Sequence, residues 1–170
     1  MLLLSGLVAC SDEQGAARFV QPDVIDPCEL LSWEDIRLVV PDAASPNAFS
    51  VHDGFNMCVF GESGFILSVF RARPMSKLAD GYERWGYQPV PVPDVGEWAL
   101  TSVEHRTQVI GSLDGSNGEV IVRLNMRGVE YGTSRFDGMV LLLDLALQRL
   151  AENEAEPSPE TSPVPQVAGR

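Results

Sequence analysis

The chain has 170 residues and a mass of 18.5 kDa, and 45% of its residues are hydrophobic. This length and composition allow one globular domain with a hydrophobic core, and they exclude a fibrous, fully disordered or multidomain protein. The 24 acidic residues outnumber the 12 basic residues, which gives a formal net charge of -12. This charge argues against non-specific nucleic-acid binding, which depends on neutralising phosphates, and an anionic membrane surface would repel the chain too.

The amino-terminal residues 1–9 are apolar and uncharged, and they lead directly into Cys10. The run is too short to cross a bilayer as a helix, which takes roughly 20 residues. It matches the end of a secretory hydrophobic region, and Leu7-Val8-Ala9-Cys10 resembles a bacterial lipobox. No Lys or Arg precedes the run, so we interpret it as a truncated lipoprotein signal peptide, with Cys10 lipidated and a tether over residues 10–25. The alternative is a short buried strand or helix with an ordinary thiol at Cys10.

The remaining cysteines support export. Once Cys10 is lipidated, Cys28 and Cys58 form an even pair in a compartment where disulfides persist. We predict that they are bonded and join the first helical turn to the first strand; two reduced thiols in a cytosolic protein are the alternative. Neither cysteine lies in a Cys-x-x-Cys motif, and His52 and His105 are far from any metal-ligand spacing, so we predict neither a metal nor a cofactor.

Two short helices are predicted where ordered structure begins. Asp26-Pro27-Cys28-Glu29 places an acceptor at the N-cap and Pro at the first helical position. Ser32 begins the second helix, with Asp35 three residues later as in a capping box, and Pro41 ends it. Residues 42–55 are predicted to form a loop.

Alternating apolar residues predict five strands, at residues 57–60, 65–71, 97–103, 107–113 and 119–126. Hairpin turns are expected between the first two strands and, at residues 114–118, between the last two. A short helix is expected over residues 75–84. Pro89, Pro91 and Pro93 favour an extended, polyproline-like connection over a central strand.

The strongest helix pattern covers residues 134–151, where Leu residues occupy most of the circumference and must be covered. Residues 152–170 are rich in Glu and Pro, which is typical of a disordered acidic tail. Residues 26–151 are therefore expected to form one α+β domain. Its antiparallel sheet of about five strands carries the long carboxy-terminal helix on one face and the short amino-terminal helices near an edge.

Several motifs in this order resemble those of exported actinobacterial lipoproteins from an uncharacterised family with an Asp-Pro-Cys start. The motifs are the lipobox at Cys10, Asp26-Pro27-Cys28-Glu29-Leu30-Leu31, Cys58 with Phe60 two places later, and Val95-Gly96-Glu97-Trp98-Ala99. The resemblance covers about residues 26–151. It implies export and a disulfide, and it implies no particular reaction.

The candidate catalytic groups have simpler structural interpretations. Glu29, Glu34 and Asp35 are close in sequence, but a capped helix start explains them. Residues 114–119 lack the spacing of a calcium loop, and Ser63 does not lie in a Gly-x-Ser-x-Gly elbow. His105 is interpreted as a surface residue in a turn. We therefore predict no catalytic residues and no enzyme.

The segment from Gly81 to Trp98 is the most suggestive of binding. It places Tyr82, Trp85, Tyr87 and Trp98 among glycines and prolines, and rigid aromatic side chains can bind an apolar ligand or a partner at low entropic cost. The same residues would otherwise cover the core.

These features together predict a lipid-anchored protein on the extracytoplasmic face of the cell membrane that binds an envelope protein or a small apolar ligand. An envelope hydrolase and a purely structural envelope domain are the alternatives. A clustered Ser-His-Asp arrangement would favour the hydrolase, and an apolar groove along residues 81–98 would favour binding.

Overall fold

The computed structural model describes residues 25–41, 43, 45–52, 55–61 and 64–155. Within these residues, the helices are α1 (Pro27–Leu30), α2 (Trp33–Arg37), α3 (Met75–Arg84) and α4 (Ser134–Ala155). The strands are β1 (Pro46–His52), β2 (Phe55–Phe60), β3 (Phe65–Arg71), β4 (Tyr87–Val92), β5 (Trp98–Glu104), β6 (Ile110–Ser116) and β7 (Val120–Asn125). The predicted signal peptide, Cys10, nearly all of the tether, and residues 156–170 of the tail lie outside the described residues.

The seven strands form one sheet in the order β1-β2-β3-β7-β6-β5-β4, and every neighbouring pair is antiparallel. The predicted α+β class is confirmed, as are the antiparallel sheet, the long final helix and the short amino-terminal helices. The number of strands is larger than the predicted five. Helix α4 also continues to Ala155, four residues past its predicted end.

The first additional strand, β1, lies in the segment predicted as a loop. It pairs with β2 from Pro46 to His52, and the pairing ends at His52 and Phe55. Only two residues, Asp53 and Gly54, separate these ends, and Asp-Gly is the sequence preferred in a two-residue hairpin connection. The prediction missed β1 because it treated the Asp-Gly pair as part of a long loop.

The second additional strand, β4, occupies the segment predicted as a polyproline-like connection. It pairs with β5 at the edge of the sheet. Proline lacks the N–H of a sheet ladder and is tolerated on an edge strand, where one side has no neighbour. Pro89 and Pro91 are two residues apart, so their missing N–H groups lie on the same side of the strand. The prolines therefore exclude a central strand, as predicted, but they permit this edge strand.

Strand β6 begins and ends three residues later than predicted, so the predicted loop at residues 114–118 is wrong. Asp114, Gly115 and Ser116 are turn-forming residues by composition, yet all three are buried in the strand. The turn is confined to the next three residues, where the Asn117 side chain accepts hydrogen bonds from the N–H groups of Glu119 and Val120.

Helix α4 closes one face of the sheet. Its Met139, Leu143 and Ala146 are fully buried, and it packs on β6 and β7. A Cβ atom at Gly115 would lie 3.0 Å from the side chains of Leu143 and Leu147. Glycine at position 115 therefore allows the close approach of helix and sheet.

The amino-terminal helices begin where the sequence predicts. Asp26 accepts a hydrogen bond from the N–H of Cys28, and Ser32 and Asp35 form a reciprocal capping box. Asp35 also lies 2.7 Å from the guanidinium of Arg149 in α4. Burial raises the pKa of Asp35, but hydrogen bonds from Arg149 and Ser32 outweigh it and lower the pKa below its usual value. This carboxylate thus has a structural role.

Cys28 and Cys58 form a disulfide, as predicted, with their Cα atoms 5.3 Å apart. The bond joins α1 to β2 on the face that α4 covers. It therefore fixes the amino-terminal helices to the sheet.

Candidate ligand groove

The second face of the sheet carries a mixed row of side chains. Register places Met57 opposite Ser68, Ser68 opposite Arg123, Arg123 opposite Asp114, and Asp114 opposite Leu100. Residues opposite one another on neighbouring strands point to the same face. This row therefore runs from an apolar side chain through an ion pair to a second apolar side chain.

Helix α3 covers only one end of this face. Its Leu78 and Tyr82 pack on Leu100 of β5, with Tyr87 and Trp98 partly buried beside them. The helix packs against β4 and β5. The part of the face formed by β2, β3 and β7 is therefore left beside the helix as an open groove.

The groove has a volume of about 600 Å³. Its floor contains four half-buried apolar side chains from β2 and β3: Phe55, Met57, Ile66 and Phe70. Helix α3 forms the opposite wall. This volume lies within the range of sites for small ligands.

A buried polar cluster lies at the base of the groove, beneath α3. Asp114 is fully buried and accepts hydrogen bonds from Arg123 Nε at 2.6 Å and Ser112 Oγ at 3.0 Å. The Tyr82 hydroxyl also donates to Asp114, and it accepts a hydrogen bond from Arg123 Nη2 at 3.1 Å. Every buried charge in the cluster therefore has partners, as burial of charge requires.

The guanidinium of Arg123 makes cation–π contacts with two aromatic rings. Its central carbon lies 4.9 Å from the centre of the Phe70 ring and 5.9 Å from that of Tyr82. Such cation–π contacts add to the ion pair and fix the plane of the guanidinium. Phe70 and Tyr82 both line the groove, so Arg123 connects its floor to its wall.

Burial perturbs the titration of this cluster. It raises the pKa of Asp114, while the neighbouring Arg123 guanidinium acts in the opposite direction. Burial, together with the charge of Asp114, raises the pKa of the Tyr82 hydroxyl well above its ordinary value of 10.0. For Arg123, burial lowers the pKa, but the attraction of Asp114 and Tyr82 outweighs it and raises the pKa. The tyrosine therefore keeps its proton, and the arginine keeps its charge, across the physiological range.

The four aromatic residues of the predicted binding segment do not form one surface. Tyr82 is buried, with 3% of its surface exposed, and Trp85 is 73% exposed; both lie along the groove. Tyr87 borders a separate shallow hollow with His105, and Trp98 packs beside the Leu78 cluster. The segment runs from the end of α3 through β4 to the first residue of β5, so its side chains are divided between the groove and the core. That the groove binds a ligand stays a prediction.

The described side chains that were considered as catalytic candidates lie apart from one another. Ser112 and Asp114 are neighbours, but their basic partner is Arg123, and the described His105 is exposed in the turn after β5. Glu29 and Glu34 are exposed. Within the described residues, no three His, Cys, Asp or Glu side chains lie together as metal ligands would. Nor does the described part of the chain contain a helix with the length and apolarity of a membrane span.

Sequence reasoning missed Arg123, which lines the groove, and Asp114, its buried partner beneath it. Arg123 interrupts the apolar run Val120-Ile121-Val122 before Leu124. A charge at that point in a buried strand signals a buried partner or a site, because an unpaired buried charge is strongly unfavourable. Asp114 carried no comparable signal, since its neighbours are typical of a turn.

Comparisons of the chain with family models, curated proteins and solved structures found no match.

Proposed function

We propose that this is a lipid-anchored protein of the extracytoplasmic face of the cell membrane that binds a small ligand in the groove beside α3. The observation that carries the binding function is the groove itself, where four apolar side chains line a space of about 600 Å³. These neighbouring half-buried side chains form one apolar patch, and contiguous exposed apolar patches are typical of binding sites.

Two features support the extracytoplasmic location. The apolar residues 1–9 precede Cys10 as in a lipobox, and Cys28 and Cys58 are joined as a disulfide. Structural disulfides form and persist mainly in oxidising compartments. The resemblance to the exported Asp-Pro-Cys lipoproteins includes these cysteines among its motifs.

Extraction of bound compounds tests the binding function. The full chain is purified from membranes of its host, and small molecules are extracted and identified by mass spectrometry. A variant with Met57→Glu and Ile66→Glu places two charges on the groove floor. Leu141→Glu is the control, because Leu141 is 71% exposed on α4, on the other side of the sheet.

We expect a compound that co-purifies with the wild type and the Leu141→Glu control and is lost from the groove variant. Circular dichroism and the intact disulfide establish that each variant is folded. An extract that is empty for all three proteins, or identical among them, contradicts the proposal. Location is tested separately: a Cys10→Ala variant should leave the membrane fraction.

A further inference from the structure

The charged side chains around the groove are distributed unevenly. Four of the chain's 12 basic residues line it: Arg73, Lys77, Arg84 and Arg123. Among the described lining residues there is no Asp or Glu, although acidic residues outnumber basic ones two to one in the chain. The groove is therefore a locally cationic site on an anionic protein.

The four cations fall into two kinds. Arg123 is neutralised by Asp114, from which it lies 2.6 Å away. Arg73, Lys77 and Arg84 are exposed, and none of them forms an ion pair with a described carboxylate. We call these three the rim cations. Among the residues that line the groove, they are the charges that no described carboxylate pairs.

The nearest carboxylates on the same helix are Asp80 and Glu83. They lie with Lys77 and Arg84 around a separate shallow depression on α3. Neither carboxylate lines the groove. They moderate the positive potential of the rim cations, but they do not occupy the space in which a ligand would lie.

The cations suit an anionic group on a ligand, and the groove floor suits an apolar part of the same ligand. Three neighbouring strands, β2, β3 and β7, span roughly 10 Å at the usual strand spacing. The volume suits one small molecule better than a macromolecular partner. Trp85 extends the apolar surface at the carboxy-terminal end of α3, where it is 73% exposed. An occupant with one apolar chain and one anionic group would match both floor and rim.

We propose that the groove binds a single-chain carboxylate amphiphile, with its acyl chain on the floor formed by β2 and β3 and its carboxylate beside the rim cations. This inference rests on the proposed binding function and names its ligand class. The acyl chain of the ligand covers the apolar floor and removes it from water, and the rim cations favour an anionic ligand over a neutral or cationic analogue.

Three probes of equal chain length test the selection. Decanoate, decanol and decyltrimethylammonium are titrated below their aggregation limits into the purified full chain at neutral pH, with calorimetry and tryptophan fluorescence as readouts. We expect decanoate to bind at least about fivefold more tightly than decanol, given the modest strength of exposed charge pairs. Decyltrimethylammonium should bind most weakly, and added salt should reduce the preference for decanoate.

A charge-matched pair of variants locates the effect. Arg73→Gln, Lys77→Gln and Arg84→Gln together remove the rim cations. Arg106→Gln, Arg127→Gln and Arg135→Gln remove three exposed cations that do not line the groove, so the net charge of the two variants is equal. The rim variant should bind decanoate about as weakly as decanol, whereas the control variant should retain the preference.

The contrary outcomes separate the two proposals. Equal binding of all three probes, or equal loss in both variants, overturns the carboxylate inference and leaves a groove that binds apolar molecules. Absence of binding by every probe overturns the inference, while the extraction experiment then decides the broader function. A dimer in sedimentation that is dissociated by Trp85→Arg makes a second copy of the chain the occupant and also overturns the inference.

Discussion

The two faces of the sheet are stabilised in different ways. The face beneath α4 carries the main apolar core, in which Asn56 and Thr101 are buried polar residues, and it is linked to α1 by the disulfide. The opposite face has a small apolar cluster under α3, the Asp114–Arg123 ion pair beside it, and an open groove beyond. The first arrangement maximises buried apolar area, whereas the second retains polar groups and accessible surface. We infer that the α4 face contributes most of the folding stability and that the α3 face provides the specificity of the proposed ligand binding.

The largest loss of folding stability on the α3 face is expected when one charge of its ion pair is removed. Asp114→Ala leaves Arg123 without its carboxylate, and we expect a loss of about 3–5 kcal/mol in the free energy of unfolding, measured by urea denaturation. Replacing both partners, Asp114→Leu with Arg123→Met, should recover most of this loss. Equal instability of the single and double variants would show that the charges themselves do not determine the effect.

Removal of the disulfide tests the α4 face. The Cys28→Ser and Cys58→Ser variant loses a cross-link that spans 30 residues of sequence. We expect a decrease of about 3–4 kcal/mol in the free energy of unfolding, because the unfolded chain regains conformational entropy. The measurement is urea denaturation, with the wild type under reducing conditions as a second comparison. An unchanged midpoint would mean that α1 is held by its other contacts alone.

Substitutions at two consecutive residues of β3 compare how much side-chain packing on each face contributes to folding stability. Leu67 is fully buried against the α4 core, while Ile66 is half-buried and lines the groove. Leu67→Ala should reduce the free energy of unfolding by about 3 kcal/mol and Ile66→Ala by about 1 kcal/mol, since less surface is lost from the groove side. Calorimetric unfolding of the two variants measures the difference. Similar losses would indicate that the groove floor is packed as tightly as the core.

The raised pKa of Tyr82 predicts an alkaline limit on stability. Above the ordinary tyrosine pKa of 10.0, the unfolded chain releases this proton while the folded protein retains it. Folding stability should therefore fall as the pH rises above about 10. Tyr82→Phe should be somewhat less stable at neutral pH, because Asp114 loses a donor, but it should lose less stability between neutral and alkaline pH. Parallel pH profiles for the two proteins would contradict the assignment.

The smallest effect is expected at Trp85. Since its side chain is mostly exposed, Trp85→Ser should change the free energy of unfolding by less than about 0.5 kcal/mol. Thermal unfolding measures this change. A loss above 1 kcal/mol would place Trp85 in the packed structure and remove it from the groove mouth.

Local signals were sufficient to predict much of this fold. The caps at Asp26 and Ser32, the helix at 75–84 and the β2–β3 hairpin depend on neighbouring residues, and the structure confirms them. The pairing of Cys28 with Cys58 followed from there being two cysteines left once Cys10 is assigned to lipid. In each case the determining interaction lies within a short stretch of sequence or follows from a count.

The site depended on long-range contacts and was predicted only in part. Tyr82 and Trp85 were identified from their aromatic character. Asp114 and Arg123 meet only because β6 and β7 pair in a particular register. The predicted β6 lies three residues too early in the sequence, so the prediction placed Asp114 in a turn and did not reveal the ion pair. Lys77 and Arg84 likewise reach the groove through the packing of α3, and Arg73 reaches it from the connection before that helix; no local pattern encodes this arrangement.

The disulfide also makes a covalent ring of the backbone between Cys28 and Cys58. One proteolytic cut within residues 29–57 would open that ring without releasing a fragment, because the sulfur atoms still join its two sides. The residues that precede Cys28 would thus stay attached to the sheet after such a cut. A protein exported as we propose would meet extracellular proteases, and the disulfide would then keep the amino-terminal segment attached even when the intervening backbone is broken.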